Sequence, residues 1–486
     1  MEYEAVIGLE VHVQLKTRTK MFTRVEQGFG HEPNTLTNPV IMGLPGVLPV
    51  LNLAAIEQSV RMGLVFGAEV PEVCRWDRKN YFYPDSPKNY QLTQLHEPIV
   101  VGGEVEIELP GPSRNVMGEH KHIRLDHAHL EEDVGKLNHY DFDSLVDYNR
   151  AGTPLLEIVT QPDLRSPEEA VALLQSLRMH LVAAGISDCD MEKGQMRCDA
   201  NVSVRPQGAD YLNKRCEMKN LNSISGVRNA IAYEIRRQAK VYEKGGTVIQ
   251  ETRRWDAESG VTTSMRSKEE AHDYRYFPDP DLMPVRLPRE RVEALRAELP
   301  EGVFDQQRRY MEQYDFPYTL TSVICYDFEL SRFFELAHAE YDQNPKAIAN
   351  YIANELQRER AAGEEDGLLP MSQLLITPSH IAELVRIIDE GKLTKHLAKD
   401  VFTEMFQTGK RPAAIVKEKG LEQEDNSDEL EGILKEAIAK NQKAADDVRA
   451  GNEKAINAFV GPAMKATKGK ANPQQVREIV LKLLNG

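Results

Sequence analysis

Three polar side chains recur at every second position near the start of the chain. Glu10, His12 and Gln14 alternate with apolar residues within residues 8–15, and this period of two predicts a β-strand with one buried face. A carboxylate, an imidazole and a carboxamide on one strand face offer oxygen and nitrogen ligands to a metal or a polar substrate. The same pattern also fits an ordinary strand whose outer face is polar, and this segment alone does not decide between the two.

Two later segments add carboxylates. Residues 131–133 are three consecutive acids, which are costly to gather unless they face water or a cation. Glu157 is the one charged residue in the apolar stretch 152–159, and a buried carboxylate is unfavourable unless it is paired or coordinated. A solvated acidic turn explains the first segment equally well, and an ion pair with Arg150 is the competing explanation for Glu157.

Other polar segments favour contacts with phosphates, hydroxyls and bases. Strand-like alternation in residues 196–204 places four polar side chains on one face: Arg197, Asp199, Asn201 and Ser203. Residues 217–222 repeat this theme with Glu217 and Lys219. Residues 78–83 combine Lys79 with aromatic rings such as Tyr81, which suit stacking on a base or sugar. Each feature is weak alone, and together they favour a polar, metal-capable cavity.

The composition narrows the class of protein. The net charge of −16 over 486 residues argues against broad electrostatic attraction to nucleic acid or anionic membrane. Five scattered cysteines without CxxC spacing fit free thiols in a reducing cytosol. No signal peptide or apolar stretch of membrane-spanning length is recognisable, so we expect a cytoplasmic protein. Neither a P-loop, a Rossmann fingerprint nor a GxSxG nucleophile segment is present.

The elements that must position these residues change along the chain. Residues 1–288 are rich in short strands and turns. Within them, Ser166 is predicted to be the N-cap of a helix, in a capping box closed by Glu169. A second helix is predicted over residues 225–243. Helical periodicity and capping residues predict that residues 289–405 are predominantly helical and that residues 406–486 form a small all-α tail. We therefore predict an α+β fold with a strand-rich N-terminal cradle domain, a helical domain and an all-α tail domain.

The tail carries a basic patch on an acidic protein. Lys465, Lys468 and Lys470 lie at and before a Lys-Gly-Lys turn, and Arg477 and Lys482 follow. Such a patch suits the phosphates of an RNA. A solvated helix surface is the alternative.

These motifs, taken in order, resemble the GatB family, the B subunit of the bacterial aspartyl/glutamyl-tRNA amidotransferase. The resemblance covers essentially the whole chain, and its segments are residues 8–15, 77–85, 129–136, 149–158, 196–203, 273–281 and 457–473. It implies a ligase that forms a C–N bond with glutamine as the amido donor. ATP phosphorylates the side-chain carboxylate of Glu-tRNA(Gln) or Asp-tRNA(Asn), and ammonia then displaces the phosphate.

The resemblance also implies site residues, cofactors and partners. It assigns Mg²⁺ to Glu10, His12, Glu132 and Glu157, and it places Glu132, Asp133, Lys79, Tyr81 and Arg197 near the reacting groups. Lys79 and Arg197 are the expected phosphate contacts for ATP, and Lys465, Lys468 and Lys470 the expected tRNA contacts. The implied partners are the A and C subunits of a heterotrimer, of which the first is a glutaminase that supplies ammonia. The heterotrimer binds misacylated tRNA and no membrane.

One departure from the family bears on zinc. Some members carry a four-cysteine zinc site between residues 22 and 43, and the matching positions here are Thr23, Val25, Asn38 and Ile41. Because none is a thiolate, no zinc is expected. Two other functions stay open: a non-catalytic RNA-binding or assembly protein, and a metal-dependent hydrolase using His12 and the carboxylates. Whether Glu-tRNA(Gln), Asp-tRNA(Asn) or both are substrates is also open.

Overall fold

The chain divides into two compact units, Met1–Gln306 and Gln307–Gly486. The structure is a computed structural model and describes residues 2–267, 274–361, 367–422, 427–450, 452–467 and 473–485.

The first unit is strand-rich. Its strands are β1 Tyr3–Gln14, β2 Val73–Cys74, β3 Asp77–Asn80, β4 Tyr90–Thr93, β5 Val100–Val101, β6 Glu104–Glu108, β7 His120–Glu132, β8 Lys136–His139, β9 Ser144–Asp147, β10 Pro154–Thr160, β11 Met196–Pro206, β12 Cys216–Leu221, β13 Glu251–Asp256, β14 Val261–Ser267, β15 Phe277–Pro278 and β16 Val285–Arg286. Its helices are α1 Leu53–Val65, α2 Pro167–Ala183, α3 Ile224–Glu243 and α4 Arg289–Ala297, and α5 Val303–Tyr314 begins at its end.

A nine-stranded sheet dominates the described part of this unit. Its order is β14-β13-β12-β11-β1-β10-β7-β5, with β6 also paired to β7. The pair β12–β13 is parallel and the other pairs are antiparallel. Smaller sheets are formed by β15-β3-β4, β16-β2 and β8-β9. The first strand of the chain therefore lies in the middle of the main sheet.

The predicted alternation along β1 is confirmed. Leu9, Val11 and Val13 are at most 1% exposed, whereas Glu10, His12 and Gln14 on the opposite face are half-buried. The apolar face belongs to a core that includes buried side chains of α2 and α3, and burying each such side chain contributes about 1.5–3 kcal/mol. The amphipathic pattern thus fixes which face of the sheet carries the polar residues.

Both predicted helices of this unit are confirmed. Ser166 caps α2, since its Oγ accepts the Glu169 N–H at 3.1 Å. The Glu169 carboxylate accepts the N–H of Arg165 at 2.7 Å, one residue before the position that a regular capping box uses. The helix α3 begins at Ile224 with Ser223 as its N-cap.

The regular secondary structure in the described residues of the second unit is entirely helical. Its helices are α6 Tyr318–Cys325, α7 Phe328–Glu340, α8 Pro345–Asn350, α9 Gln357–Ala361, α10 Pro378–Asp389, α11 Lys395–Thr408, α12 Pro412–Glu418, α13 Ser427–Lys440, α14 Gln442–Arg449, α15 Asn457–Ala466 and α16 Pro473–Asn485, with a π-helical segment Tyr351–Leu356 and short 3₁₀ turns Met371–Gln373 and Glu453–Ile456. Residues from Leu430 to Leu484 share a hydrophobic cluster of their own. The predicted α+β fold is confirmed, and the three-domain division with boundaries at 288 and 405 stays a prediction.

Candidate active site

The centre of the candidate site is a row of four side chains on four neighbouring strands. His129 of β7 is paired with Glu157 of β10. Glu157 is paired in turn with His12 of β1, and His12 with Arg197 of β11. Because directly paired residues on antiparallel strands project to the same face, the register brings the four together on the polar face of the sheet.

Glu157 is held between two imidazoles. Its Oε2 lies 3.1 Å from Nε2 of His12 and 3.2 Å from Nε2 of His129. Burial raises the pKa of Glu157, but hydrogen bonds from the two histidines outweigh burial and lower it well below the ordinary value. Burial likewise lowers the pKa of each histidine, and Glu157 more than offsets this, so both end above their ordinary value. The alternative that Glu157 pairs with Arg150 is wrong.

Glu131 completes a group that fits a divalent cation. One ligand atom each of His12, Glu131 and Glu157 lie within 4.8 Å of one another, a spacing compatible with ligand–cation distances of roughly 2.0–2.5 Å. Oε2 of Glu131 is buried, lies 3.8 Å from Nε2 of His129, and has no hydrogen-bond partner among the described residues. Burying a carboxylate oxygen without a hydrogen-bond partner costs free energy, and a bound cation would supply the missing partner.

Glu132, which the resemblance assigns to the metal, is engaged elsewhere. Its Oε1 pairs with Lys88 and accepts the N–H of Leu92 at 3.1 Å. Consecutive residues of a strand face opposite sides of a sheet, so Glu131 and Glu132 at the end of β7 cannot both face His12. The roles of Glu132 as a metal ligand and a catalytic group stay predictions, and the structure brings Glu131 to that position.

Glu10 lies one row further along β1. It forms a second group with Asp199 and Glu217, whose ligand atoms also lie within 4.8 Å of one another. Lys219 neutralises part of that group, at 2.5 Å from Asp199 and 2.8 Å from Glu217. Burial raises the pKa of Glu10, and the negative charges of Glu157 and Glu217 raise it further. Its assignment to the metal stays a prediction.

Asp133 fixes the guanidinium of Arg197. Nη2 of Arg197 lies 2.8 Å from Oδ2 of Asp133, Gln14 Nε2 donates to the same oxygen at 3.0 Å, and Nε of Arg150 lies 3.6 Å away. Burial raises the pKa of Asp133, but Arg197 and Arg150 outweigh it, so the pKa is lowered overall. Arg197 is therefore a positioned cation at the end of the central row.

Lys79 brings a positive charge to the group from the smaller sheet β15-β3-β4. Its Nζ lies 5.2 Å from the ring centroid of Tyr274. Burial lowers the pKa of Lys79, but Glu131 and other neighbours outweigh burial and raise it, so the ammonium keeps its charge. Nearby, burial and then the charge of Asp85 raise the pKa of Tyr81 to about 12. Catalytic roles for Lys79 and Tyr81 stay predictions.

The tail residues are only partly described. Lys465 lies in the last turn of α15, and Arg477 of α16 donates to Oδ1 of Asn457 at 3.0 Å. Lys468 and Lys470 lie outside the described residues. Contact of Lys465, Lys468 and Lys470 with tRNA stays a prediction.

Sequence reasoning missed two members of the central group, His129 and Glu131. A signal was present, because His127, His129 and Glu131 alternate along β7 as Glu10 and His12 do along β1. Tyr274, beside Lys79, belongs to the segment 273–281 that carried part of the resemblance. Nothing in the sequence shows that this segment returns to β3, where Phe277 pairs with Arg78.

Two family models match most of the chain. Residues 5–293 match the family described as the GatB/GatE catalytic domain, and residues 332–484 match the GatB domain. The first match contains every residue of the central row. The chain belongs to the GatB family, the B subunit of aspartyl/glutamyl-tRNA(Asn/Gln) amidotransferase.

Relatives of this family align over nearly the full length. The protein of Opitutus terrae is 57% identical over 489 aligned positions, covering 100% of this chain and 99% of its own. Those of Carboxydothermus hydrogenoformans and Thermoanaerobacter pseudethanolicus are each 48% identical, covering 99% of this chain and 98% and 99% of their own. All three are named as the B subunit of aspartyl/glutamyl-tRNA(Asn/Gln) amidotransferase. Among the described residues, no helix is both long and apolar enough to cross a membrane.

Proposed function

We propose that this chain is the tRNA-binding, carboxylate-activating component of a glutamine-dependent amidotransferase. Its substrates would be Glu-tRNA(Gln), Asp-tRNA(Asn) or both, and its products the corresponding amides. The observation that carries the proposal is the group of His12, Glu131 and Glu157 on the polar face of the main sheet, in a chain of this family.

The reaction has two bond exchanges. An oxygen of the tRNA-linked side-chain carboxylate forms a bond to the γ-phosphorus of ATP, and the bond to ADP breaks. The nitrogen of ammonia then forms a bond to the acyl carbon, phosphate leaves, and the nitrogen loses a proton. Such phosphoryl transfer depends mainly on positioning and on neutralising charge.

The residues of the site suit these demands. His12, Glu131 and Glu157 would hold Mg²⁺, with Glu10 one row away. When bound, Mg²⁺ supplies charge neutralisation for the phosphates. Lys79 holds a positive charge against the same carboxylates, and Arg197 is fixed by Asp133. Arg197 can orient a phosphoryl group without reorganising, because Asp133 already positions it. Lys79 adds a second positive charge near the carboxylates.

The decisive test is reconstitution of the heterotrimer from this chain and its A and C partners, using Glu-tRNA(Gln), ATP, Mg²⁺ and glutamine. We expect Gln-tRNA(Gln), with ADP formed only when misacylated tRNA is present. If this chain were only a binding or assembly protein, replacing Glu157 would change neither the formation of Gln-tRNA(Gln) nor the formation of ADP. A metal-dependent hydrolase would cleave simple phosphodiesters without ATP. Parallel assays with Asp-tRNA(Asn) decide the substrate.

Partners and tail are part of the same proposal. The names of the relatives, which call each a B subunit, support an enzyme of several subunits. In this proposal a glutaminase subunit supplies the ammonia, and a small third protein completes a heterotrimer. We expect removal of residues 406–486 to weaken tRNA binding and to leave glutaminase activity of the complex intact; unchanged tRNA affinity would contradict a role for the tail.

The five cysteines are buried and free, which supports a reducing cytoplasmic setting.

A further inference from the structure

A series of hydrogen-bonded side chains on β7 leads from the candidate site to the surface. His129, whose Nε2 lies 3.2 Å from Oε2 of Glu157, has its Nδ1 at 3.2 Å from Nε2 of His127. Nδ1 of His127 in turn lies 2.7 Å from Oδ2 of Asp126. The exposed fraction of the side chain rises along this series, from 13% for His129 through 30% for His127 to 49% for Asp126. The contacts therefore join the buried carboxylate of Glu157 to the protein surface without a break.

An irregularity in the strand pairing explains why two consecutive side chains of β7 meet. His127 is paired with Val159 of β10, but the next pair is Leu125 with Thr160, so Asp126 is an additional residue on β7. Consecutive side chains of a regular strand face opposite sides of the sheet, and an extra residue of this kind re-aims a side chain. The irregularity therefore lets the carboxylate of Asp126 turn towards His127.

Asp126 is itself held from the neighbouring strand. Gln161, the residue after β10, donates from Nε2 to Oδ1 of Asp126 at 2.5 Å, and its backbone N–H donates to the carbonyl of Arg124 at 2.9 Å. Both oxygens of the Asp126 carboxylate are thus engaged, one by Gln161 and the other by His127. Because Glu157 and Gln161 belong to the same stretch of chain, the contacts close into a ring between β7 and β10.

Both ring nitrogens of His129 are occupied within this ring of contacts. Nδ1 faces His127 and Nε2 faces Glu157, whereas His12 belongs to the group whose ligand atoms lie within 4.8 Å of one another. An imidazole engaged at both nitrogens suits the orienting of a carboxylate better than the binding of a cation. The rings of His127 and His129 are also stacked, with centroids 5.3 Å apart and planes at 21°. Hydrogen bonding and packing therefore both restrict rotation of the His129 ring.

We propose that Asp126 and His127 are positioning residues for the cation site, acting through His129 on the carboxylate of Glu157. The inference rests on the proposed function, in which Glu157 helps to hold Mg²⁺. The two residues keep the His129 ring turned so that its Nε2 faces Glu157. A carboxylate held in one orientation binds a cation without first being reordered, and loss of a group that orients a metal ligand typically weakens metal binding by about 10- to 100-fold.

The test uses the full-length chain in the reconstituted heterotrimer, with Mn²⁺ as the probe because it prefers oxygen-rich octahedral sites as Mg²⁺ does. His127→Phe keeps a stacked ring and removes both hydrogen bonds, whereas His127→Gln keeps an N–H donor for Nδ1 of His129. Electron paramagnetic resonance of free Mn²⁺ gives the Kd without turnover, and Glu157→Gln identifies the binding that belongs to this site. His122→Phe is the matched control, because His122 lies on the same strand, is 53% exposed and pairs with Glu104.

His127→Phe is expected to raise the Kd for Mn²⁺ on the order of 10-fold. The Mg²⁺ concentration for half-maximal amide formation should rise by a similar factor, while the rate at saturating Mg²⁺ changes little. Asp126→Ala is expected to weaken Mn²⁺ binding in the same direction, and His127→Gln and His122→Phe to bind Mn²⁺ as the wild type does. Wild-type binding by His127→Phe or Asp126→Ala would overturn the proposal, as would an equal loss in His127→Phe and His127→Gln or in His127→Phe and His122→Phe.

Crystals of the metal-free complex show the orientation of His129 directly. In His127→Phe we expect Nε2 of His129 to leave hydrogen-bond distance of Glu157, and in His127→Gln to keep it; an unmoved ring in His127→Phe would overturn the proposal. If the wild-type complex binds no Mn²⁺ that depends on Glu157, the cation site is wrong and the proposal falls with it. If it binds Mn²⁺ but forms no amide, only the proposed function fails, and the binding comparison still decides on Asp126 and His127.

Discussion

His12 and Glu157 occupy directly opposed positions on β1 and β10, with Nε2 of the histidine 3.1 Å from Oε2 of the glutamate. His129 approaches the same oxygen from the other side. Glu157 is thus the carboxylate shared by the whole group, and its low pKa keeps it ionised. An anion fixed between two imidazoles is preorganised for a cation, because little rearrangement is needed on binding.

Replacement of Glu157 by Gln removes the charge and keeps the shape. We expect amide formation and tRNA-dependent ADP release to fall on the order of 100-fold or more, because a ligand and the anchor of two imidazoles are lost together. Single-turnover assays of the heterotrimer measure both. The matched control is Glu168→Gln, an exposed glutamate in the first turn of α2. If the Glu157→Gln variant released ADP at the wild-type rate, the assignment of Glu157 to the metal would be contradicted.

Glu131 and Glu132 are expected to have separable effects. Glu131→Gln should lower activity and raise the Mg²⁺ concentration needed for half-maximal rate, with thermal stability kept. Glu132→Gln leaves the ammonium of Lys88 buried without its partner, which costs about 3–5 kcal/mol. We therefore expect a lower melting temperature and an unchanged Mg²⁺ requirement.

The two variants are measured side by side by thermal unfolding and by Mg²⁺ titration of the rate. A shifted Mg²⁺ requirement for Glu132→Gln, with none for Glu131→Gln, would support the assignment of Glu132 that the resemblance makes and contradict a role for Glu131. Loss of folding in both variants is distinguished from loss of metal binding by the melting curves.

Residues on β1 were predictable because strand geometry is periodic. Once Leu9, Val11 and Val13 are assigned to the core, Glu10 and His12 must share the other face. The same rule applied to β7 selects Glu131 together with His129. The choice of Glu132 followed the resemblance and passed over this alternation.

Contacts between distant segments were beyond sequence reasoning. Asp133 meets Arg197 because β7, β10, β1 and β11 are neighbours in one sheet. That order, and the register that sets His12 opposite Glu157, depend on strand pairing that no local pattern specifies. The position of Lys79 depends in the same way on a second sheet.

Lys20 is expected to make the first unit more stable as the solution becomes alkaline. Its fully buried ammonium donates to the carbonyls of Leu36 and Ala151 at 2.7 and 2.6 Å, and burial lowers its pKa to about 8. Above that pH the folded protein releases a proton that the unfolded chain keeps until about pH 10.4. The unfolded state then binds more protons, so Lys20 adds up to about 3 kcal/mol of stability between these two values.

Urea unfolding at several pH values measures this, followed by the fluorescence of Trp76 and Trp255, which both lie in the first unit. The Lys20→Met variant lacks the titrating group, so its free energy of unfolding should rise less between pH 8 and pH 10 than that of the wild type. Parallel pH dependence of the two proteins would show that Lys20 titrates normally.

The buried carboxylate of Glu234 is expected to stabilise the packing of α3 against the edge of the main sheet. Its carboxylate is fully buried and accepts hydrogen bonds from Arg237, at 2.6 and 2.9 Å, from Gln238 at 2.8 Å and from Thr262 of β14 at 3.2 Å. Glu234→Ala leaves Arg237 without its partner, so we expect a loss of about 3–5 kcal/mol in the free energy of unfolding. Glu243→Ala, an exposed position at the end of the same helix, should change it little.

The same carboxylate sets a pH dependence in the acid range. Burial raises the pKa of Glu234, but hydrogen bonds from Arg237 and Gln238 outweigh burial and lower it. Its stabilising contribution is therefore complete above the unfolded pKa of about 4.3 and is lost as the pH falls from there towards the folded pKa. Glu234→Gln lacks this titration, so the stability difference between wild type and variant should narrow below about pH 4.3. A difference that stays constant from pH 6 to pH 3 would mean that the Glu234 carboxylate has the same pKa in the folded and unfolded chain.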